Sequence, residues 1–216
     1  MADPGTGSLA PPLVVVAPTG PPEGELADAL ALLLLAAGRG QDDQLAPPQV
    51  WRQLVLASLP AAESEYSWPG LRWVRPPSGG PGRDGPVLGV SLALPSARLG
   101  RARGQDSARL AGLLDREGRR RLLAALREQE GAVPLVPADG LYLSRLAVAP
   151  AARGRGVGAA LVIDVLRRAR AAGGPAYLHV AADNAVARRL YARHGFVDRA
   201  EGRAAGGVRL VLMSTG

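Results

Sequence analysis

Two arginines alternate with three glycines in one short stretch of the chain, Arg153-Gly154-Arg155-Gly156-Val157-Gly158. A segment that alternates like a strand precedes it and ends at Pro150, and a helical pattern begins directly after it. Glycines let the backbone turn sharply and bring N–H groups close to a ligand. A helix N-terminus adds unpaired N–H donors and a partial positive charge. The stretch therefore predicts a cradle for a phosphate or a pyrophosphate.

A second group of candidate residues lies on the last predicted helix, where Asn184 and Tyr191 are seven residues apart. Seven steps of about 100° bring the two side chains to within about 20° of each other, two turns apart on one helix face. Ala187 lies between them and is small enough to let a ligand pass close to the helix. This face is therefore a candidate ligand contact.

Composition excludes several kinds of site. The 216 residues contain no Cys and only two His, His179 and His194, so disulfides, thiolate sites and a zinc cluster are excluded and no metal is expected. All 26 basic residues are Arg, and a Walker A phosphate loop needs a Lys. Gly154-x-Gly156-x-x-Ala159 satisfies the Rossmann dinucleotide pattern. However, four residues separate it from the strand and only 57 follow it, too few for a doubly wound domain.

The overall charge says little about partners. The net charge is +7 and the pI is near 11.0, but a chain without Lys suggests a GC-rich coding sequence, so we do not expect a nucleic-acid partner. The N-terminus lacks a signal-peptide pattern. The longest apolar run, residues 26–37, contains Asp28 and is too short to span a bilayer. We expect a soluble, cytoplasmic protein that does not bind membranes.

The order of predicted elements indicates an α/β fold with a mixed sheet. We expect a disordered leader at 1–12 and a single domain at 13–216, with a hairpin whose polar tip follows residue 75. Strands are predicted at 13–17, 71–75, 87–94, 141–149, 176–181, 196–201 and 208–213. Helices are predicted at 23–37, ending before Gly38, and at 49–59, 106–116, 117–130, 156–172 and 184–193.

Residues 96–131 form an insertion relative to a minimal fold of this kind. Its two helical patterns begin at an N-cap, Asp106 or Ser107, and they carry Arg109, Arg116, Arg119, Arg120, Arg121 and Arg127. We interpret them as solvated helices, with a basic surface for a substrate or a partner as the alternative. No aromatic residue interleaves with these arginines, so the sequence offers no stacking platform for bases.

Three motifs resemble the GNAT superfamily, the general N-acetyltransferases that use acetyl-CoA. The family's pyrophosphate motif, Gln/Arg-x-x-Gly-x-Gly/Ala, stands here as Arg153-Gly154-Arg155-Gly156-Val157-Gly158. The preceding strand at 143–150 has the family's form, and so does Asn184-(x)6-Tyr191-(x)2-His194-Gly195-Phe196. The motifs span about 56 residues, and the N-terminal two-thirds of the chain matches only in its order of elements.

The resemblance implies a GNAT fold, a mixed central sheet with splayed middle strands flanked by helices, with the helical insertion before the cofactor-binding strand. It also implies acetyl-CoA as cosubstrate, bound between strands 143–148 and 176–180. The diphosphate would contact the backbone of Arg153, Gly154, Arg155, Gly156, Val157, Gly158 and Ala159. The pantetheine arm would pair with the backbone of Leu146, Ala147 and Val148 and would pass Asn184 and Ala187.

The implied reaction is direct attack of an amine on the thioester, with Tyr191 as the general acid that returns a proton to the CoA thiolate. A phenol with an ordinary pKa near 10 is a reasonable donor to a departing thiolate. We assign His194 a structural role at the helix C-terminus. The acceptor is expected to be a small-molecule or peptide amine, and a homodimer is one possible assembly.

The general base stays open at this point. Many relatives are acidic where this chain has Ser144, and a hydroxyl cannot take a proton from an ammonium group. The alternatives are Glu63, Glu65, His179 or a water relay. The substitution also makes a strongly cationic polyamine a poor candidate for the acceptor.

Two other functions remain as alternatives to an acetyltransferase. The absence of an acid at Ser144 favours a non-catalytic acyl-CoA-binding or regulatory module. Nucleic-acid binding through the Arg-rich helices is the second. Release of free thiol in the presence of a panel of amines separates the first alternative from a transferase.

Overall fold

A computed structural model describes residues 13–37, 45–76 and 85–216 of the chain. The strands in these ranges are β1 Val14–Val16, β2 Leu71–Arg75, β3 Gly89–Pro95, β4 Leu141–Val148, β5 Ala176–Ala181, β6 Phe196–Arg203 and β7 Arg209–Thr215. The helices are α1 Gly24–Ala37, α2 Pro48–Ser58, α3 Leu99–Leu113, α4 Arg116–Gln129, α5 Val157–Ala171 and α6 Ala185–Arg193. The leader at 1–12, the helix stop at Gly38 and the hairpin tip at 77–84 lie outside the described residues.

Among the described residues, the strands form one sheet in the order β1-β2-β3-β4-β5-β7-β6. Neighbouring strands pair antiparallel except β4 and β5, which are parallel because α5 connects them as a crossover. The predicted α/β fold with a mixed central sheet is confirmed.

Strand β4 is irregular at Ser144. Leu92 of β3 pairs with Arg145 whereas Ala93 pairs with Leu143, so Ser144 is the extra residue of a β-bulge. The parallel pairing with β5 ends where Leu143 lies opposite Leu178. Beyond that point the two strands separate, and we call the opening between residues 144–148 and 179–181 the splay. The splayed middle strands that the resemblance implied are therefore present.

Helices cover both faces of the sheet. Leu92 packs in a cluster with side chains of α1 and α2, whereas its neighbour Ala93 packs with α5. Successive strand residues point to opposite faces, so α1 and α2 lie on one face and α5 on the other. None of the helices in the described ranges is long and apolar enough to cross a membrane.

Helix α3 packs one face against the core and leaves its other face solvated. It begins at Leu99, and Leu99 and Leu110 are buried. The predicted N-cap, Asp106, lies inside the helix, where its carboxylate accepts hydrogen bonds from the Ser64 hydroxyl (2.9 Å) and the Glu65 N–H (2.8 Å). The Asp106 carboxylate thus finds its hydrogen-bond donors in a distant segment, although its residue type favours a helix N-cap. Helix α4 is more solvated, with Gly118, Leu122 and Ala125 buried.

Candidate active site

The glycine and arginine stretch forms a tight turn before α5. Gly154 and Gly156 have φ of +73° and +80°, in the left-handed region that favours glycine. The Gly156 carbonyl accepts from the Ala160 N–H at 3.0 Å, so the N–H groups of residues 157–159 are the unpaired donors of the first helical turn. The exposed side chains of Arg153 and Arg155 lie beside them. Donors, helix dipole and two cations together suit a diphosphate.

Gly158 differs from the other two glycines of the predicted cradle. A Cβ at this position would lie 3.2 Å from Leu190 Cδ2 and 3.7 Å from Val148 Cγ2. The missing side chain therefore lets α6 and β4 pack closely against the first turn of α5. Val157 is buried and Gly158 has no side chain. Both residues can therefore offer a ligand mainly their backbone groups.

The edge of β4 that faces the splay carries backbone groups suited to a strand-like ligand. The Ala149 N–H donates to Leu88 O at 2.9 Å, and Ala147 pairs with Val90, so both residues direct their peptide groups to β3. Successive residues of a strand alternate in this respect, so Leu146 and Val148 direct their N–H and C=O groups into the splay. Of the three predicted pantetheine contacts on β4, these two have the required direction, whereas Ala147 has its backbone bonded to β3.

Helix α6 begins with Asn184 as its N-cap. The Asn184 Oδ1 accepts from the Ala187 N–H at 3.1 Å, which leaves the side-chain NH2 as its group for a ligand. Ala187 and Leu190 are partly buried against the core, whereas Val186 is 73% exposed. Of the apolar pair Val186 and Leu190, four residues apart, only Leu190 docks the helix, because Val186 lies on the solvent side.

Tyr191 and His194 lie at the C-terminal end of α6. Tyr191 is buried, and its ring centroid lies 5.7 Å from that of Phe196. Burial raises the pKa of Tyr191 to about 12, and the nearby Tyr142 adds to the effect, so the phenol keeps its proton at neutral pH. His194 Nδ1 donates to Leu190 O at 2.8 Å, which fits the structural role predicted for it.

A carboxylate lies next to Ser144 although the residue itself is not acidic. The Ser144 hydroxyl donates to Glu65 Oε1 at 3.2 Å, and the Glu65 side chain is only 12% exposed. Glu65 comes from the segment between α2 and β2, 79 positions earlier in the chain. Glu63 instead pairs with Arg101 at 2.9 Å, and its side chain is 48% exposed. Of the two predicted glutamates, the fold brings Glu65 to the β4 bulge.

Glu65 belongs to a group of hydrogen-bonded side chains that we call the polar cluster: Glu65, Arg103, Tyr142, Ser144 and His179. Arg103 Nε donates to Glu65 Oε1 at 3.3 Å, and Arg103 Nη2 donates to Tyr142 Oη at 3.0 Å. The Tyr142 hydroxyl in turn lies 3.1 Å from His179 Nδ1. The sequence did not single out Arg103 or Tyr142, because no local motif marks either residue.

Both ring nitrogens of His179 are occupied. Nε2 lies 3.0 Å from Pro134 O, and a carbonyl only accepts, so Nε2 carries the proton and Nδ1 accepts from Tyr142 Oη. Burial, with the Arg103 charge as the next cause, lowers the pKa of His179 to about 4. His179 is therefore neutral at pH 7 with its lone pair engaged, and it is poorly placed to act as a general base.

The state of His179 makes the stability of the fold depend on pH. The unfolded chain protonates this ring near pH 6.5, whereas the folded chain keeps it neutral until about pH 4. The free energy of unfolding should therefore fall as the pH drops through this interval, by up to about 3 kcal/mol from this group. His179→Gln keeps a donor for Pro134 O and an acceptor for Tyr142 Oη but does not titrate. Urea unfolding at pH 7.5 and 4.5 should show a smaller loss in the variant, and an equal loss in both proteins would contradict the assignment.

A cavity of about 240 Å³ lies beside β3 near the start of β2. Glu65, Gly70 and Ala93 contribute to its lining, together with Arg168, which donates to the carbonyl oxygens of Gly70 and Ala93. Its lining includes none of residues 144–148 and 179–181, which border the splay.

Comparison with protein families agrees with this geometry. Residues 105–196 match the family model described as the acetyltransferase (GNAT) family. The matched segment runs from α3 to Phe196 and contains β4, the glycine turn, β5 and α6. No curated protein matches this chain in sequence.

Solved structures share the fold at low sequence identity. An N-acetyltransferase from Staphylococcus aureus Mu50 has a TM-score of 0.60 and 15% identity, with 88% of this chain and 93% of that chain covered. A protein described as histone acetyltransferase HPA2 and related acetyltransferase, from Corynebacterium glutamicum, has a TM-score of 0.58 and 19% identity, with 96% of both chains covered. A chain of the NatC complex bound to Gag peptide and CoA has a TM-score of 0.51 and 15% identity, with 94% and 97% covered.

The family match and the shared fold point to the same conclusion as the splay, the glycine turn and the α6 face. The chain carries a GNAT-family acetyltransferase domain, matched at residues 105–196.

Proposed function

We propose that this protein is an N-acetyltransferase that moves the acetyl group of acetyl-CoA to an amine by direct attack. The observation that supports the proposal is the splay, because its β4 edge offers the backbone groups of Leu146 and Val148 to a ligand just before the glycine turn that leads into α5. A strand edge, an anion cradle and a proton donor are the three contacts that an acyl-CoA thioester needs along its length.

The residues present fit acetyl-CoA, which supplies an activated acetyl thioester when bound. The turn at residues 153–159 would hold the diphosphate through backbone N–H groups and the two arginines. Leu146 and Val148 would bond the pantetheine amides as a neighbouring strand does. The Asn184 side-chain NH2 would reach the same arm, and the partly buried Ala187 would leave room for it.

Glu65 and Tyr191 would carry the proton transfers. Glu65, beside Ser144, accepts a proton from the acceptor ammonium, and the amine nitrogen then forms the new bond to the acetyl carbon. Tyr191 would donate its proton to sulfur as the carbon–sulfur bond breaks, the attacking nitrogen would lose its second proton to solvent, and solvent would restore the Tyr191 proton. A phenol whose pKa is raised to about 12 stays protonated until that step.

The polar cluster also bears on the acceptor. Glu65 is a single carboxylate close to Arg103, and Arg145 lies near enough to Arg103 to disfavour its charge. The guanidinium groups of Arg103 and Arg145 repel an acceptor that carries several positive charges. We therefore propose an amine with little further positive charge, from a small molecule or a peptide, rather than a polyamine.

Tyr191→Phe tests the role of the phenol. The variant should bind acetyl-CoA as the wild type does, because the ring and its packing on Phe196 are kept, and its kcat should fall by roughly 100-fold. Turnover is followed as CoA thiol, and because the chain has no Cys every thiol in the assay comes from CoA. Unchanged kcat would remove Tyr191 from the mechanism. No thiol release by the wild type with any amine would favour the acyl-CoA-binding module instead.

A further inference from the structure

Helix α3 of the insertion holds Glu65 from two directions. The Asp106 carboxylate accepts from the Glu65 backbone N–H at 2.8 Å, and Arg103 Nε donates to the Glu65 side chain at 3.3 Å. Asp106 also accepts from the hydroxyl of the adjacent Ser64. These bonds fix both the backbone and the carboxylate of a residue that lies in a segment between two elements.

Arg103 also reaches β4. Its Nη2 donates to Tyr142 Oη at 3.0 Å, and its guanidinium carbon lies 5.3 Å from the Tyr142 ring centroid. Tyr142 is buried just before the bulge and is held on its other side by His179 of β5. One guanidinium thus ties the Glu65 carboxylate to the two strands at the point where they begin to separate.

We propose that the helical insertion completes the acceptor side of the active site, with Arg103 as the residue that positions the Glu65 carboxylate beside Ser144. This inference rests on the proposed function, since it gives Glu65 a proton to remove. The planar guanidinium offers donors in a fixed fork, so it orients the carboxylate and Tyr142 Oη together. The orientation matters because a small displacement of a catalytic group costs far more rate than stability.

A purely structural role for Arg103 makes a different prediction. Its side chain is 42% exposed, and a partly exposed ion pair contributes about 1 kcal/mol or less to stability. A brace of that kind would lower the melting temperature slightly and leave turnover of the folded enzyme unchanged. If Arg103 instead positions Glu65, its substitution would lower kcat, and this effect would depend on the presence of the Glu65 carboxylate.

A double-mutant cycle separates the two roles. Arg103→Gln, Glu65→Gln and the double variant are compared with the wild type by CoA thiol release. The probes are acetyl-CoA with glycinamide, benzylamine, spermidine and a short peptide with a free N-terminal Ala. We expect Arg103→Gln to lower kcat roughly 10-fold with an unchanged KM for acetyl-CoA. The double variant should be no slower than Glu65→Gln alone, because the positioned group is then absent. Arg101→Gln, two residues away and paired with Glu63, is the matched control and should stay within about twofold of the wild type.

The outcomes distinguish this inference from the function on which it rests. An equal loss from Arg103→Gln in the wild-type and the Glu65→Gln backgrounds would overturn the positioning role and leave the acetyltransferase intact. The same holds for a lower melting temperature with unchanged kcat. A wild type that binds acetyl-CoA but acetylates none of the four amines would overturn the proposed function and the positioning role together.

Discussion

Glu65→Gln should lower kcat for acetyl transfer by roughly 100-fold or more, the size of effect that a positioned general base contributes. The amide keeps the shape of the side chain and its acceptor for the Ser144 hydroxyl, but it cannot take a proton from the acceptor. Binding of acetyl-CoA should not change, because Glu65 lies at the bulge rather than along the cradle. Steady-state thiol release at several acetyl-CoA concentrations separates kcat from KM.

Glu63→Gln is the matched control for this substitution. Glu63 lies two positions earlier in the same segment, with a side chain that is 48% exposed and paired with Arg101. Its loss should change kcat less than about twofold. Equal losses in the two variants would mean that the segment's overall charge matters rather than a base at the bulge. Wild-type turnover by Glu65→Gln would assign the proton to water.

Gly156→Val should raise the dissociation constant of acetyl-CoA at least about 10-fold. The left-handed φ of +80° strains a β-branched residue, at a cost of about 1–2 kcal/mol. The new side chain would also stand where we propose that the diphosphate approaches the first turn of α5. Calorimetric titration with acetyl-CoA measures the effect directly.

Gly173→Val controls for the strain. Gly173 follows the other end of α5 with a φ of +74°, and a Cβ there would meet nothing within 4 Å. Both variants should therefore lose similar stability, and only Gly156→Val should lose acetyl-CoA. Equal weakening of binding in both variants would mean that the stability of α5 matters, and that the turn makes no specific contact.

The local sequence pattern correctly predicted strand β5 and the glycine turn, because both depend on interactions between residues close in the chain. Alternation and flanking glycines located β5 at 176–181 without error, and the strand–turn–helix order located the glycine turn before α5. The splay followed from the family resemblance, since alternation alone does not say where two parallel strands stop pairing. The bulge at Ser144 depends on the register with β3, which a single sequence does not reveal.

The polar cluster could not be predicted because its contacts join distant parts of the chain. Ser144 and Glu65 are 79 positions apart, and Arg103 and Tyr142 are 39 apart. Asp106 is a residue for which the local prediction was wrong for the same reason. Its residue type favours a helix N-cap, but donors from Ser64 and Glu65 hold it inside α3. In both the polar cluster and Asp106, hydrogen bonds between distant segments determine where the side chains lie, and local sequence does not reveal those bonds.

The most direct test of the central claim is a calorimetric titration of the wild-type protein with acetyl-CoA, followed by a crystal structure of the complex with CoA. We predict saturable binding of one acetyl-CoA per chain. In the complex the diphosphate should lie on the N–H groups of residues 157–159, with the pantetheine arm between residues 144–148 and 179–181. No heat and no change in melting temperature at saturating acetyl-CoA would contradict the account.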